Sequence, residues 1–507
     1  MIIKNQQTGL SKRVASGLIW NQIYIVLSFG ISLAFQLFIV RQFDRYTYSI
    51  YIFAAGFVGI VLTSVSFGFE NIINKYIPEY LSKGKGACSL LVFKRFLLLR
   101  FIILLNICVV ILLARKLLVS LLNVPEIATL IGFLLAVILV RGTYNLFPSM
   151  FMAQLKVKQA RIIESCEQAL HLLVVCYIFV ILQSVNIKQV FLAQFIIDGI
   201  ILILYWVLLH KSWQGTSAQS ENVDFRSLYK FGLYFCGTDI LTYLLAERSD
   251  VLLLGLLNPD KEQIGIYNVG TMIGLKISVL VLGSLRGLLL PALSEAYARR
   301  KAEGLAQAWQ FFLKVILIAI IPTFSFLFIY ADQLIINLFT KNYIQSANIL
   351  KLSVGFGISG WLLGSGLSMI VLMTLNKGKT VLWTRLGAGM LNLLLNIILI
   401  PSYGAIGAII GTGVSQLSIT IIEFEIMRRY VKVIYPFLFL GKLLFVSSIS
   451  LLAIIWLPAK ELGQLAVNGG IFLVLFLSIA YFVKFLTPDE RQRLSDISVL
   501  KYLARLF

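Results

Sequence analysis

Apolar residues occupy the chain in blocks of about twenty, separated by short clusters of Lys, Arg, Gly and Pro. A helix needs about 20 mainly apolar residues to cross ~30 Å of hydrocarbon, so each block reads as a membrane-spanning helix. About fourteen blocks qualify. They lie near Trp20 to Val40, Tyr48 to Phe69, Phe96 to Leu113, Ile127 to Phe147, Ile162 to Leu182, Val190 to Leu209 and Phe231 to Leu254. The series continues near Ile264 to Leu290, Phe311 to Tyr330, Ala347 to Leu372, Val381 to Ile400, Ala405 to Met427, Phe437 to Leu457 and Leu465 to Val483. The first block is longer than a signal-peptide core and no small-residue cleavage site follows it, so it is expected to stay as a helix.

Composition excludes a soluble multidomain protein. Of 507 residues 59% are hydrophobic and only 13% charged, against roughly 25% charged in soluble proteins. Lys and Arg number 44 against 23 Asp and Glu. In a chain this apolar, that excess belongs to cytoplasmic loops facing anionic lipid rather than to a nucleic-acid interface. Its distribution orients the helices: odd-numbered gaps between blocks hold about nine basic residues, even-numbered gaps and the termini about 29, so both termini are expected in the cytoplasm. The five cysteines are scattered without a CxxC, which indicates neither a disulfide framework nor a metal site.

The longest polar stretch, KSWQGTSAQSENVDFRSLYK from Lys211 to Lys230, divides the chain into similar halves. Span two exits through YIPEYLSKGKG (Tyr76 to Gly86) and span eight through LLPALSEAYARRKAEG (Leu289 to Gly304), while LKVK (Leu155 to Lys158) matches LNKG (Leu375 to Gly378). Matches in one order at one offset of about 220 residues predict two homologous lobes of six spans, parallel because six is even. The expected organisation is an N-lobe over 1–210, a cytoplasmic linker over 211–230, a C-lobe over 231–430, and spans thirteen and fourteen with a cytoplasmic tail over 431–507. Parallel lobes that rock about a cleft are a transporter architecture.

With YIPEY, ERSDVLLLG (Glu247 to Gly255), IGIYNVG (Ile264 to Gly270) and LLPALSEAYAR, the chain resembles the polysaccharide transporters of the multidrug/oligosaccharidyl-lipid/polysaccharide (MOP) superfamily, close to the Wzx-type O-antigen flippases. The resemblance implies an all-α integral protein of the bacterial inner membrane, with two MATE-like six-helix lobes and two further C-terminal helices. It implies translocation of an undecaprenyl-diphosphate-linked oligosaccharide to the outer leaflet by alternating access, beside a polysaccharide polymerase and chain-length machinery, with no enzymatic step and no cofactor. The chain has no Walker loop, HExxH or GxSxG, and no polar stretch beyond about 20 residues to hold an ATPase or transferase domain. The membrane potential could drive the step without any acid titrating, since two negative charges moving outward gain up to about 4.6 kcal/mol per 100 mV. Two rival readings are a lipid II flippase and a multidrug or cation antiporter of the same superfamily, whose substrates two mid-membrane cations would repel.

An ionisable residue at the bilayer centre costs at least ~3 kcal/mol, so each needs a partner, a hydrated cavity or a ligand. Arg141, midway along span four, and Lys276, midway along span eight, supply one cation per lobe, as a diphosphate cavity requires. Arg286 lies within ~80° of Lys276 on the same helix. The alternative for these cations is an ion pair with a carboxylate such as Asp198 or Glu247. In span seven Asp239, Tyr243, Glu247 and Asp250 form a stripe. It reads either as a coupling-ion or proton site, with Glu70 a third candidate, or as ties to a neighbouring helix. Arg385, Asn392 and Asn396 share a face of span eleven, as Glu164, Gln168 and His171 do in span five, and span one adds Asn21, Ser28 and Ser32. Such stripes line a sugar-binding cleft or serve as interhelical hydrogen bonds. The glycines of span ten, Gly355 to Gly366, read mainly as close-packing positions.

Overall fold

The computed structural model describes residues 2–122, 124–213, 223–244, 247–488 and 490–492, and their regular elements are helical. The first eleven are α1 (Ile2–Gln42), α2 (Arg45–Ser64), α3 (Phe69–Ser82), α4 (Gly86–Leu113), α5 (Arg115–Leu122), α6 (Ile127–Tyr144), α7 (Leu146–Ala153), α8 (Val157–Leu182), α9 (Ile187–Trp213), α10 (Phe225–Leu244) and α11 (Glu247–Leu257). They are followed by α12 (Glu262–Ile329), α13 (Ala331–Leu338), α14 (Ser346–Leu362), α15 (Leu367–Thr374), α16 (Gly378–Tyr430), α17 (Phe437–Leu452) and α18 (Leu462–Val483). The chain forms two compact units, Met1–Gly265 and Ile266–Phe507. α10 and α11, which follow the linker, pack on α2 and α3 and belong to the first unit.

Each apolar block lies mainly on helix over its described residues, and ten helices among those residues are long and apolar enough to cross a membrane. Some carry two blocks or none. The 53 residues of α16 hold blocks eleven and twelve, joined at Gly404, whose φ of 52° leaves helical geometry. The 68 residues of α12 leave it at Arg300 and Lys301.

The internal repeat has a physical counterpart in how helices stop. Leu155 and Asn376 take φ of 59° and 58°, and Lys156 N–H and Lys377 N–H each return to a carbonyl five residues earlier, on Phe151 and Leu372, at 2.9 Å. This is the left-handed closure that satisfies the last carbonyls of a helix. Gln183 also ends its helix in the left-handed region, at φ 54° and ψ 14°, whereas Gly404, about 220 residues on, kinks α16 in a different conformation at φ 52° and ψ −128°. The match of LKVK with LNKG is thus a match of helix-stop geometry.

Blocks four and ten are both broken. Block four breaks at Asn145, because the ring of Pro148 collides with the carbonyl four residues back, on Tyr144, and has no N–H to offer it. Block ten breaks at Leu363–Gly366, where Gly364 and Gly366 take φ of 72° and 78°. Two of the span-ten glycines are therefore turn formers. Gly357 is a packing position, abutting Phe324.

Packing is inverted relative to a soluble protein. Large apolar side chains face outward, with Leu173 62% and Ile398 66% exposed, while Arg100 and Asp198 are each 1% exposed. Hydrocarbon solvates leucine as readily as a protein interior does, so apolar side chains occupy both the surface and the core, while polar groups such as these are held inside where they find partners. Helices then meet through small residues: a Cβ on Gly142 would lie 2.7 Å from a Leu104 methyl of α4.

Candidate functional site

Arg141 lies in the last turn of α6, ahead of the break imposed by Pro148. A cation there faces the partial negative charge of the helix C-terminus. Three helices converge on it. Its Nη2 donates to Glu167 Oε1 of α8 at 3.2 Å, and its Nη1 stands 4.0 Å from Asp198 Oδ2 of α9. The Arg141 side chain is 32% exposed, against 11% for Glu167 and 1% for Asp198, so the two acidic side chains are the more deeply buried. Asp198 Oδ2 is buried and has no hydrogen-bond partner. Of the two partners that the sequence offered Arg141, Asp198 is in place. Glu167 was not singled out in the sequence, although it meets the criterion applied to Arg141, an ionisable residue inside an apolar block.

The span-five stripe continues this polar seam along α8 towards α1. Arg161 Nη1 donates to Glu164 at 2.6 Å and the guanidinium stacks 4.6 Å over the Tyr24 ring. Gln168 Nε2 donates to the Tyr24 hydroxyl at 3.3 Å, and the His171 ring stacks on Phe35 with centroids 4.6 Å apart. Asn21 is half-buried on α1.

Elsewhere the candidate residues divide. Glu70, in the first turn of α3, is ion-paired with Arg100 of α4, a buried charge that the sequence did not single out. Lys94 and Arg95 precede Arg100 and make it read as the tail of a cytoplasmic cluster. In the second unit Arg385 places Nε 3.9 Å from Glu423 Oε1, and Glu423 is 3% exposed. Asn392 and Asn396 lie on the same helix as Arg385. Both are buried between the two halves of α16, where Asn396 Nδ2 donates to Asn392 Oδ1 at 3.2 Å and Thr412 Oγ1 donates to the same oxygen at 3.0 Å. That is an interhelical seam. Lys276 is half-buried on α12, and the side chains of Asp239, Glu247 and Arg286 lie outside the described residues.

The arrangement in the first unit is one guanidinium held by two acids drawn from neighbouring helices. Among the described residues no three His, Cys, Asp or Glu side chains are grouped to hold a metal ion.

No curated protein matches the chain in sequence. Solved structures match it in fold. A lipid II flippase, MurJ, in an inward-closed conformation superposes with a TM-score of 0.67 at 16% identity, covering 93% of this chain and 98% of its own. An inward-facing multidrug resistance transporter of the MATE family gives 0.62 at 14% identity, covering 80% and 94%. A MOP superfamily transporter from Pyrococcus furiosus, described as having a binding pocket of reversed polarity, gives 0.57 at 14% identity, covering 82% and 95%. The chain thus has the fold of the MOP superfamily transporters. The family profile for polysaccharide biosynthesis proteins matches residues 14–297, more than half of the sequence. With that match, this multi-pass α-helical membrane chain belongs to the polysaccharide biosynthesis protein family.

Proposed function

We propose that the protein is a flippase of the bacterial inner membrane, moving an undecaprenyl-diphosphate-linked oligosaccharide from the cytoplasmic to the outer leaflet by alternating access. In this reading it has fourteen spans and cytoplasmic termini, the polyprenyl tail stays in lipid, and Arg141, Lys276 and Arg286 are the cations that meet the diphosphate. The observation that carries it is Arg141, a partly exposed arginine side chain inside a membrane helix, in a chain whose family is polysaccharide biosynthesis. A guanidinium offers planar, bidentate donation to phosphate oxygens, and an amphiphile with a diphosphate head is the substrate for which a membrane-embedded cation is worth its desolvation. Export of a lipid II substrate is the second reading, supported by the likeness in fold to MurJ.

The test is the sidedness of the lipid-linked oligosaccharide in cells depleted of the protein, read by the access of an impermeant glycan-modifying reagent to spheroplasts. Confinement to the inner leaflet, reversed on restoring the protein, supports the proposal. An unchanged distribution overturns it. Confinement of lipid II alone shifts the assignment to the second reading, and cation efflux that is lost on depletion shifts it to an antiporter.

A further inference from the structure

We infer that Glu167 and Asp198 compete with the substrate's diphosphate for Arg141, so that binding of the anion takes up a proton on this carboxylate pair. The inference rests on the reading of Arg141 as a diphosphate contact and adds the coupling chemistry of that contact.

Three observations lead to it. The cluster holds two acids against one guanidinium, so its own members leave it one negative charge in excess when both acids are ionised. The Arg141 side chain is the most exposed member of the cluster, and the two carboxylate side chains are more deeply buried. One Asp198 oxygen is buried with no hydrogen-bond partner, and the Asp198 and Glu167 carboxyl groups lie within hydrogen-bonding reach of each other, so that one proton can be shared between them. When phosphate oxygens draw Arg141 away, two neighbouring carboxylates lose their common counter-charge in a poorly solvated place. Like charges so placed do not both stay ionised, and one takes a proton. The other titratable groups within electrostatic reach are Tyr51 from α2, Tyr144 from α6, and Glu164 and His171 from α8. Tyrosines do not titrate near neutrality, which leaves His171 and Glu164 as competing proton acceptors, the latter held by its own pair with Arg161.

The linkage has a definite sign. The bound state holds more protons than the free state, so affinity rises as pH falls, by up to about tenfold per pH unit for one proton. A carboxamide at Asp198 removes one competitor, which strengthens binding and flattens the pH dependence. That pattern is the reverse of what loss of a directly binding group produces.

The experiment uses the purified full-length chain and a short-prenyl diphosphate-linked monosaccharide, a diphosphate diester whose charge is constant between about pH 5.5 and 8. Calorimetric titration in buffers of different ionisation enthalpy counts protons. The expected result is uptake of about one proton per probe bound by the wild-type chain. In Asp198→Asn, affinity at about pH 7.5 rises about tenfold and the pH slope falls towards zero. His171→Asn and Glu164→Gln each keep the wild-type slope. Binding without proton uptake, an unchanged slope in Asp198→Asn, or loss of the slope in His171→Asn or Glu164→Gln overturns the inference. The proton count on the wild-type chain stands even where a variant does not fold. Unchanged affinity in Arg141→Gln places the failure one level down, in Arg141 as a diphosphate contact. Arg141-dependent binding with no proton uptake removes the coupling alone.

Discussion

The ion pair of Glu70 with Arg100 is unequal: the arginine side chain is 1% exposed and the glutamate 28%. Removing the acid strands a buried guanidinium, whereas removing the arginine leaves a carboxylate that water still reaches. Glu70→Gln is therefore expected to destabilise the protein by about 3–5 kcal/mol and Arg100→Met by about half that, read from thermal unfolding in detergent. Equal losses would show that exposure does not set the order. Residues of this kind are half-legible in a sequence. The rule that a charge within an apolar block needs a reason singled out Arg141 and applies equally to Glu167 and Arg100. What it does not supply is the partner: Glu167 and Asp198 lie 26 or more positions from Arg141 and meet it only once α6, α8 and α9 are packed.

Helix ends are the features on which sequence and structure correspond most closely at the scale of elements. Leu155 holds a left-handed conformation at φ 59°, which strains a branched side chain and suits glycine. Leu155→Gly is expected to stabilise the chain by about 1 kcal/mol, seen as a higher unfolding midpoint; a lower midpoint would mean that its side-chain contacts outweigh the backbone strain. Gly142 faces the opposite constraint, since any Cβ there meets Leu104. Gly142→Val should cost about 1–3 kcal/mol by forcing α4 and α6 apart, and normal stability would imply that α4 shifts freely. The break after α6 was present in the sequence as Pro148, and the break after α14 as Gly364 and Gly366. Which glycines turn the chain and which only let helices touch is not a property of composition, because the residue type is the same in both uses.

Across the molecule, the residues after α18 fold back onto the second unit. Lys314 Nζ donates to Glu490 at 2.7 Å, and Phe485 and Leu486 are buried beneath that bond. Burial opposes ionisation of Glu490, but hydrogen bonds from Lys314 and from the Thr487 backbone outweigh it, so its carboxyl titrates below the ordinary value of 4.5. A depressed acid contributes stability that is complete above its unfolded value and is lost as pH falls through the folded one. Protease cleavage at residues 484–492 is therefore expected to be slow and constant down to about pH 5 and to accelerate below about pH 4. Lys314→Met should bring that acceleration to neutral pH. Cleavage independent of pH in both forms would show that the apolar contacts alone hold the segment.

The sequence by itself determined the class of the protein and its family, because those depend on block length, charge distribution and motif order, and block length is read against a solvent of known thickness. Lipid also erases the amphipathic stripe that tells which face of a soluble helix turns inward, so the blocks do not announce their neighbours. Only the tertiary structure decided that Arg141 shares two acids, that Asn392 and Asn396 bond to Thr412 within a seam, and that Glu70 answers Arg100. Each of those pairings is selected by the cost of leaving a polar group unpaired in hydrocarbon, and that cost acts only between helices already side by side.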